Sequence, residues 1–161
     1  MRKMTLYHGT DFDFSEIDLN HSLAKRDFGR GFYTTTISAQ AESWAKTKQN
    51  RRLSEHAYVY VYDAAIPDDF EIMHYDGVCI EWLEMVKKNR VDGGLRHPYD
   101  IVIGPVANDN TMLTVTRYVQ GIYTAQEALE RLRYSELNNQ VSFHTERAIK
   151  CLTFVRRYSV G

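Results

Sequence analysis

Apolar and polar positions along this chain change period several times, and each change marks an element. Residues 57–63 set Tyr58, Tyr60 and Tyr62 against Ala57, Val59 and Val61, a period of two that predicts a strand. Residues 4–8 predict the opening strand. Residues 11–30 are polar, punctuated by Asp and Ser and closed by Gly29 and Gly31, and predict mostly loop. A second strand is expected over 32–36. Ser38 is then placed to cap a helix through about residue 53, with Ala41, Trp44 and Ala45 on its buried face. Cys79, Trp82, Leu83 and Val86 recur at helical spacing within 78–90, before a turn at Asp92-Gly93-Gly94. Tyr99 to Val106 reads as a strand that bends or stops at Gly104-Pro105. Thr124 and Glu127 form a capping-box pair ahead of Ala128, Leu129 and Leu132, so a helix should start near 125. Strands over 141–144 and 152–158 complete the pattern.

Strands and helices therefore mix without regular alternation, and no glycine-rich turn has the Gly-x-Gly-x-x-Gly spacing. A doubly wound dinucleotide fold is disfavoured, and α+β with largely antiparallel strands is expected. The 161 residues, 43% of them apolar, suit a single domain over 1–161. Twenty basic residues against twenty-one acidic ones give a net charge of -1, which supplies no global attraction to nucleic acid. Cys79 and Cys151 stand apart in apolar surroundings and read as reduced thiols. No apolar run approaches the roughly 18 residues of a membrane span, and the N-terminus runs straight into a strand pattern, so a cytoplasmic protein is expected. The histidines, at 8, 21, 56, 74, 97 and 144, have no metal-ligand spacing, and no metal site is expected.

Two short segments carry the chemistry. Tyr7-His8-Gly9-Thr10 is a strand ending in an imidazole and a glycine, and Gly31-Phe32-Tyr33-Thr34 is a glycine-aromatic turn into a strand. Together they offer an aromatic face and polar groups of the kind that hold a dinucleotide in a bent form between two strands. Taken singly, each has a plain structural reading: a hydrogen-bonded histidine at a strand end, a common turn, and a core tryptophan at Trp44. YHGT at 7–10 and RGFYTT at 30–35 resemble the mono-ADP-ribosyltransferases of the diphtheria-toxin and PARP type. In that pattern a further aromatic follows the strand tyrosine by eleven positions, here Trp44, and a glutamate heads a late strand, here falling on Gln140. DFGRGFYTT, YDIVIGPVAND and NNQVSFHT, in that order, resemble more narrowly a bacterial group of proteins of unknown function, DUF3990, over nearly the whole chain.

The resemblance implies an ADP-ribosyltransferase-like fold, split antiparallel sheets with flanking helices around an NAD cleft, and NAD as co-substrate without a metal. It implies that His8 meets the adenosine-side ribose and that Gly9, with no Cβ in the way, presents its backbone to the nicotinamide amide. Tyr33 and Trp44 would sandwich the nicotinamide ring, with Thr10 and Phe32 beside them, and Gln140 would bond the nicotinamide ribose. A neutral amide at Gln140 supplies no negative charge to an oxocarbenium-like transition state, a deficit of about 3 kcal/mol. If that deficit limits the rate, Gln140→Glu should raise NAD cleavage. An acceptor-facing loop would span 134–140, exposing Tyr134, Glu136 and Asn138, with Glu136 a candidate base. The expected activity is transfer of one ADP-ribose from NAD to a macromolecular acceptor, protein or nucleic acid. An intracellular toxin of a toxin–antitoxin or phage-defence system, neutralised by a cognate antitoxin protein, is the context the resemblance implies. The rivals are an NAD- or ADP-ribose-binding pseudoenzyme or interaction module and an NAD glycohydrolase. Two further features are thinner. Lys46, Lys48, Arg51 and Arg52 form a basic cluster that reads as a solvated helix face or as a guide for phosphate. Asn108-Asp109-Asn110 read as a helix cap more than as ligand contacts, and Asp27 sits in a polar loop.

Overall fold

The computed structural model describes residues 1–19, 26–92, 97–106, 109–132 and 139–161, with the side chains of 109–112 left out. Along the chain these form β1 (Arg2–Thr10), β2 (Phe32–Thr34), α1 (Ser38–Arg52), β3 (Tyr58–Ile66), β4 (Ile72–His74), α2 (Ile80–Val91) and β5 (Ile101–Pro105). Then follow α3 (Asp109–Val119), α4 (Ala125–Leu132), β6 (Asn139–Phe143), α5 (Glu146–Ile149) and β7 (Leu152–Ser159). The class is α+β. One sheet has the order β1-β3-β7 and is antiparallel throughout. The other has the order β2-β6-β5-β4, antiparallel except for β4 beside β5.

Side-chain alternation explains how the sheets stack. Leu6, Tyr60 and Tyr62 on the first sheet pack against Phe32, Ile101, Val141 and Phe143 on the second, forming an inner core. The opposite face of the first sheet sets Val59 and Val61 against Ala41 of α1. The opposite face of the second sets Tyr33 and Val102 against Trp82, Leu83 and Val86 of α2, Val115 and Tyr118 of α3, and Leu132 of α4. Both faces of β3 are thus covered, which is why Val59, Tyr60, Val61 and Tyr62 are all buried. The layers run helix, sheet, sheet, helices.

Most expected elements are present with shifted ends. The capping box is made as read: Thr124 N–H donates to Glu127 Oε1 and Glu127 N–H to Thr124 Oγ1, both at 3.2 Å. Ser38 does not cap α1. It is the first helical residue, and Ile37 holds the cap position without a side-chain bond. The helix ends on Leu53 in the left-handed region at φ 54°, a turn that brings the Ser54 hydroxyl to Asp11 at 2.5 Å. Two short elements escaped the periodicity, β4 and α5. β4 is three residues long and is half-exposed or exposed throughout, so its sequence carries no alternation to read. It is tied in by parallel pairing to β5 across α2, a compact β-α-β unit. Among the described residues no helix is long and apolar enough to cross a membrane. Cys79 and Cys151 are free thiols.

Candidate functional site

The site begins where β1 and β2 part. Tyr7 and Thr35 exchange both backbone bonds at 2.9 Å, the one bridge between the two sheets among the described residues. Hydrogen-bonding direction alternates along an extended strand, so Gly9, two residues on, also turns its N–H and C=O away from β3. A continued ladder would face it with Tyr33. Instead the strands diverge, and side chains take the carbonyls. His8 Nδ1 lies 2.7 Å from the Tyr33 carbonyl oxygen, and Lys48 Nζ donates to the Gly9 carbonyl at 2.8 Å. A cavity of about 150 Å³ opens in the gap.

His8 and Tyr33 both line it. A carbonyl only accepts, so Nδ1 of His8 carries the proton and Nε2 is the ring's acceptor. Burial pushes the imidazole down to about 3, Lys48 and Arg26 adding repulsion and the Tyr33 carbonyl opposing. His8 is therefore neutral at physiological pH, suited to accept from a hydroxyl. Its ring stacks on Phe32 at 4.2 Å and meets Phe14 edge-on at 5.8 Å, and Phe14 in turn stacks on Tyr60 at 4.1 Å. The inner wall of the cavity is thus aromatic, a surface for a flat heterocycle. Tyr33 belongs to the other face of β2. Its hydroxyl accepts from Phe28 N–H at 2.9 Å and donates to the Gly29 carbonyl at 2.5 Å. Burial holds that phenol well above its ordinary range, so it is a neutral anchor for the 26–31 turn. Arg26 lays its guanidinium 4.1 Å from the Tyr33 ring centre.

The remaining expected residues divide. Thr10 and Phe32 line the cavity. Gly9 has a structural reason to be glycine besides the one expected: a Cβ there would overlap the Ala41 carbonyl oxygen of α1. Trp44, half-buried, is not among the lining residues. The next residue on its helical face, Lys48, is, together with Arg52. The basic cluster is therefore not simply a solvated face. Gln140 is buried away from the lining, its Nε2 donating to Asp27 Oδ2 and to the Pro105 carbonyl, both at 3.1 Å. Asp27 also receives Arg90 at 2.7 Å, so the polar loop residue of the sequence is a structural ion-pair partner. Glu136 and Asn138, with Tyr134 and Asn108, lie outside the described residues. Asp109 opens α3. Among the described residues no group of three or more His, Cys, Asp or Glu side chains is arranged to hold a metal.

The sequence offered Lys48 only within a basic cluster that could guide phosphate, and it did not point to Arg26 at all. Four-residue spacing from Trp44 was the available signal for Lys48, and nothing local marked Arg26. The sequence also did not show that His144 seats the turn leading into β2. The His144 Nδ1–H donates to the Arg30 carbonyl at 2.8 Å, Ser142 Oγ lies 2.7 Å from Nε2, and a Cβ on Gly31 would strike the imidazole. Burial pushes His144 down to about 4, which keeps it neutral and the seat fixed.

Comparison with known families places the chain. It matches the DUF3990 family, described as proteins of unknown function, over residues 4–154, and belongs to that family. No curated protein and no solved structure matches it.

Proposed function

We propose that this protein is a mono-ADP-ribosyltransferase, taking NAD as co-substrate and transferring ADP-ribose to a protein or nucleic-acid acceptor. One observation carries the reading: past the Tyr7–Thr35 bridge the strands separate into a cavity that His8 and Tyr33 share, with the backbone edge of Gly9 turned outward from β1. In this reading the two-sheet core flanked by α1 is of the ADP-ribosyltransferase type. His8 Nε2 accepts from the adenosine-side ribose, the Gly9 edge pairs with the nicotinamide amide, and Tyr33 supports the ring. The C–N glycosidic bond breaks with its electron pair going to the nicotinamide nitrogen, which loses its positive charge. The ribosyl carbon is then taken by an acceptor nucleophile, whose proton leaves to a base. The leaving group is already cationic, so the site needs positioning and electrostatics more than a strong acid. An intracellular toxin restrained by an antitoxin protein is the setting we favour, and growth arrest on expression would support it.

A second reading, an NAD- or ADP-ribose-binding module without turnover, is favoured by one geometric fact. Gln140 spends its amide on Asp27 and Pro105 rather than on the cavity. An NAD glycohydrolase is the third outcome. Purified protein incubated with labelled NAD and a cell lysate separates the three. Label on macromolecules, free ADP-ribose alone, or retention without cleavage identifies them in turn. His8→Ala and Tyr33→Ala should each lower transfer by at least about a hundredfold. Undiminished turnover in both removes this site from the reaction.

A further inference from the structure

The cavity holds a cation, Lys48, that meets no carboxylate among the described residues. Lys48 extends from α1, half-buried, with its ammonium held by the neutral Gly9 carbonyl. Among the described residues no carboxylate lies within ion-pair distance of it. Asp11, a buried acid on the Lys48 side of the cavity, is committed: Oδ1 receives Arg52 at 2.8 Å and Oδ2 receives Ser54 at 2.5 Å. Glu16 and Asp18 line the cavity too, but both side chains are exposed. Arg26 adds a second cation on the β2 side, over Tyr33. A half-buried ammonium without a counter-charge is costly, and an anion arriving in the cavity would relieve it. Beside the cations stands the aromatic wall of His8, Phe14 and Phe32, so the complement is a phosphate chain attached to a flat base.

We propose that Lys48, assisted by Arg26, anchors the diphosphate of an adenosine-type dinucleotide in this cavity, leaving the Gly9 carbonyl free as it does so. This rests on the NAD reading for the identity of the ligand and not for the existence of the anion site.

The anchor is pH-dependent for a definable reason. Burial, with the repulsion of Arg26, Arg52 and Arg51, pushes Lys48 down to about 7, while Asp11 pulls it the other way. The other groups facing it do not change charge near neutrality: His8 is neutral above about 3, Asp11 is held below the ordinary carboxylate range, Tyr33 is held above the phenol range, and the arginines stay cationic. Binding an anion therefore draws a proton onto Lys48. Affinity should fall by about tenfold or more between pH 6.5 and 8.5 as that proton becomes scarcer.

Titration calorimetry with ADP-ribose, adenosine and inorganic pyrophosphate tests this on the full chain, with melting curves to establish folding. ADP-ribose is the probe for the pH series because its diphosphate does not titrate in that range. Lys48→Met should weaken ADP-ribose and pyrophosphate at least about tenfold, change adenosine less than twofold, and abolish the pH dependence. Lys48→Arg should retain binding and flatten the pH profile. Unchanged ADP-ribose affinity in Lys48→Met overturns the anchor and leaves the NAD reading standing. Lys48-dependent pyrophosphate binding without any ADP-ribose or NAD binding supports the anchor and removes the dinucleotide. Failure of the unmodified protein to bind either phosphate compound overturns the anchor.

Discussion

At Gln140 the side-chain amide donates to two oxygens, a carboxylate of Asp27 and the carbonyl of Pro105, and the Pro105 carbonyl also receives Trp82 Nε1–H at 3.0 Å. Both Gln140 partners only accept. A glutamate in the same place would offer oxygens to oxygens, beside a second carboxylate, in a buried setting. The sequence alone makes Gln140→Glu a route to faster NAD cleavage; the geometry argues the opposite. Gln140→Glu should lose about 2–4 kcal/mol of stability and give no gain in NAD cleavage. Urea unfolding and a cleavage assay check both, and a stable, faster variant would return this position to the reaction. Single residues here thus have roles set by partners that are distant in sequence. Asp27 reaches Arg90 and Gln140, and His8 reaches Tyr33.

Elements are joined by a few buried polar residues, and Asp100 is the clearest. Its carboxylate receives Arg147 at 2.9 Å, Thr145 at 2.7 Å and Glu71 N–H at 3.1 Å, tying the segments before β4 and β5 to the start of α5. The Arg147 guanidinium, followed by the Thr145 hydroxyl and the Glu71 N–H, holds its pKa down to about 2, against burial. A carboxyl near 3.9 in the unfolded chain and lower in the fold stabilises at pH above about 4, and the contribution is lost as pH falls towards 2. Arg147 is half-exposed, so solvent screening reduces what the pair is worth. Asp100→Asn should flatten the acid limb of stability between pH 4 and 2 while lowering stability at pH 7. Thermal melts across that range check it, and an unaltered acid limb would show the joint to be unimportant. Thr145 also caps α5, accepting from Ala148 N–H at 3.2 Å, which lets a helix of four residues persist.

At the scale of the molecule the two sheets are joined, among the described residues, at the Tyr7–Thr35 bridge and part beyond it. The strands with neighbours on both sides, β3 in the first sheet and β5 and β6 in the second, should resist amide exchange longest. β7, an edge strand with Phe154 and Val155 exposed, and β4, an edge strand of three residues, should exchange first. Exchange followed by mass spectrometry measures this order, and early loss of β6 would contradict it. The cavity lies in the gap between β1 and β2, so ligand binding should slow exchange at Gly9 and Tyr33 before it affects β7.

Period and punctuation in the chain were enough for the α+β class, for most strands and helices, and for the Thr124–Glu127 cap, because those depend on neighbours within a few residues. The set of His8, Gly9 and Tyr33 came instead from the YHGT and RGFYTT segments and the resemblance they carry. The reason for Gly9, the turn of Lys48 into the cavity, the stacking of Arg26 on Tyr33 and the burial of Gln140 against Asp27 were decided only by tertiary structure. Each depends on a contact between segments separated by many positions, and nothing in the local alternation of apolar and polar residues encodes where such segments meet.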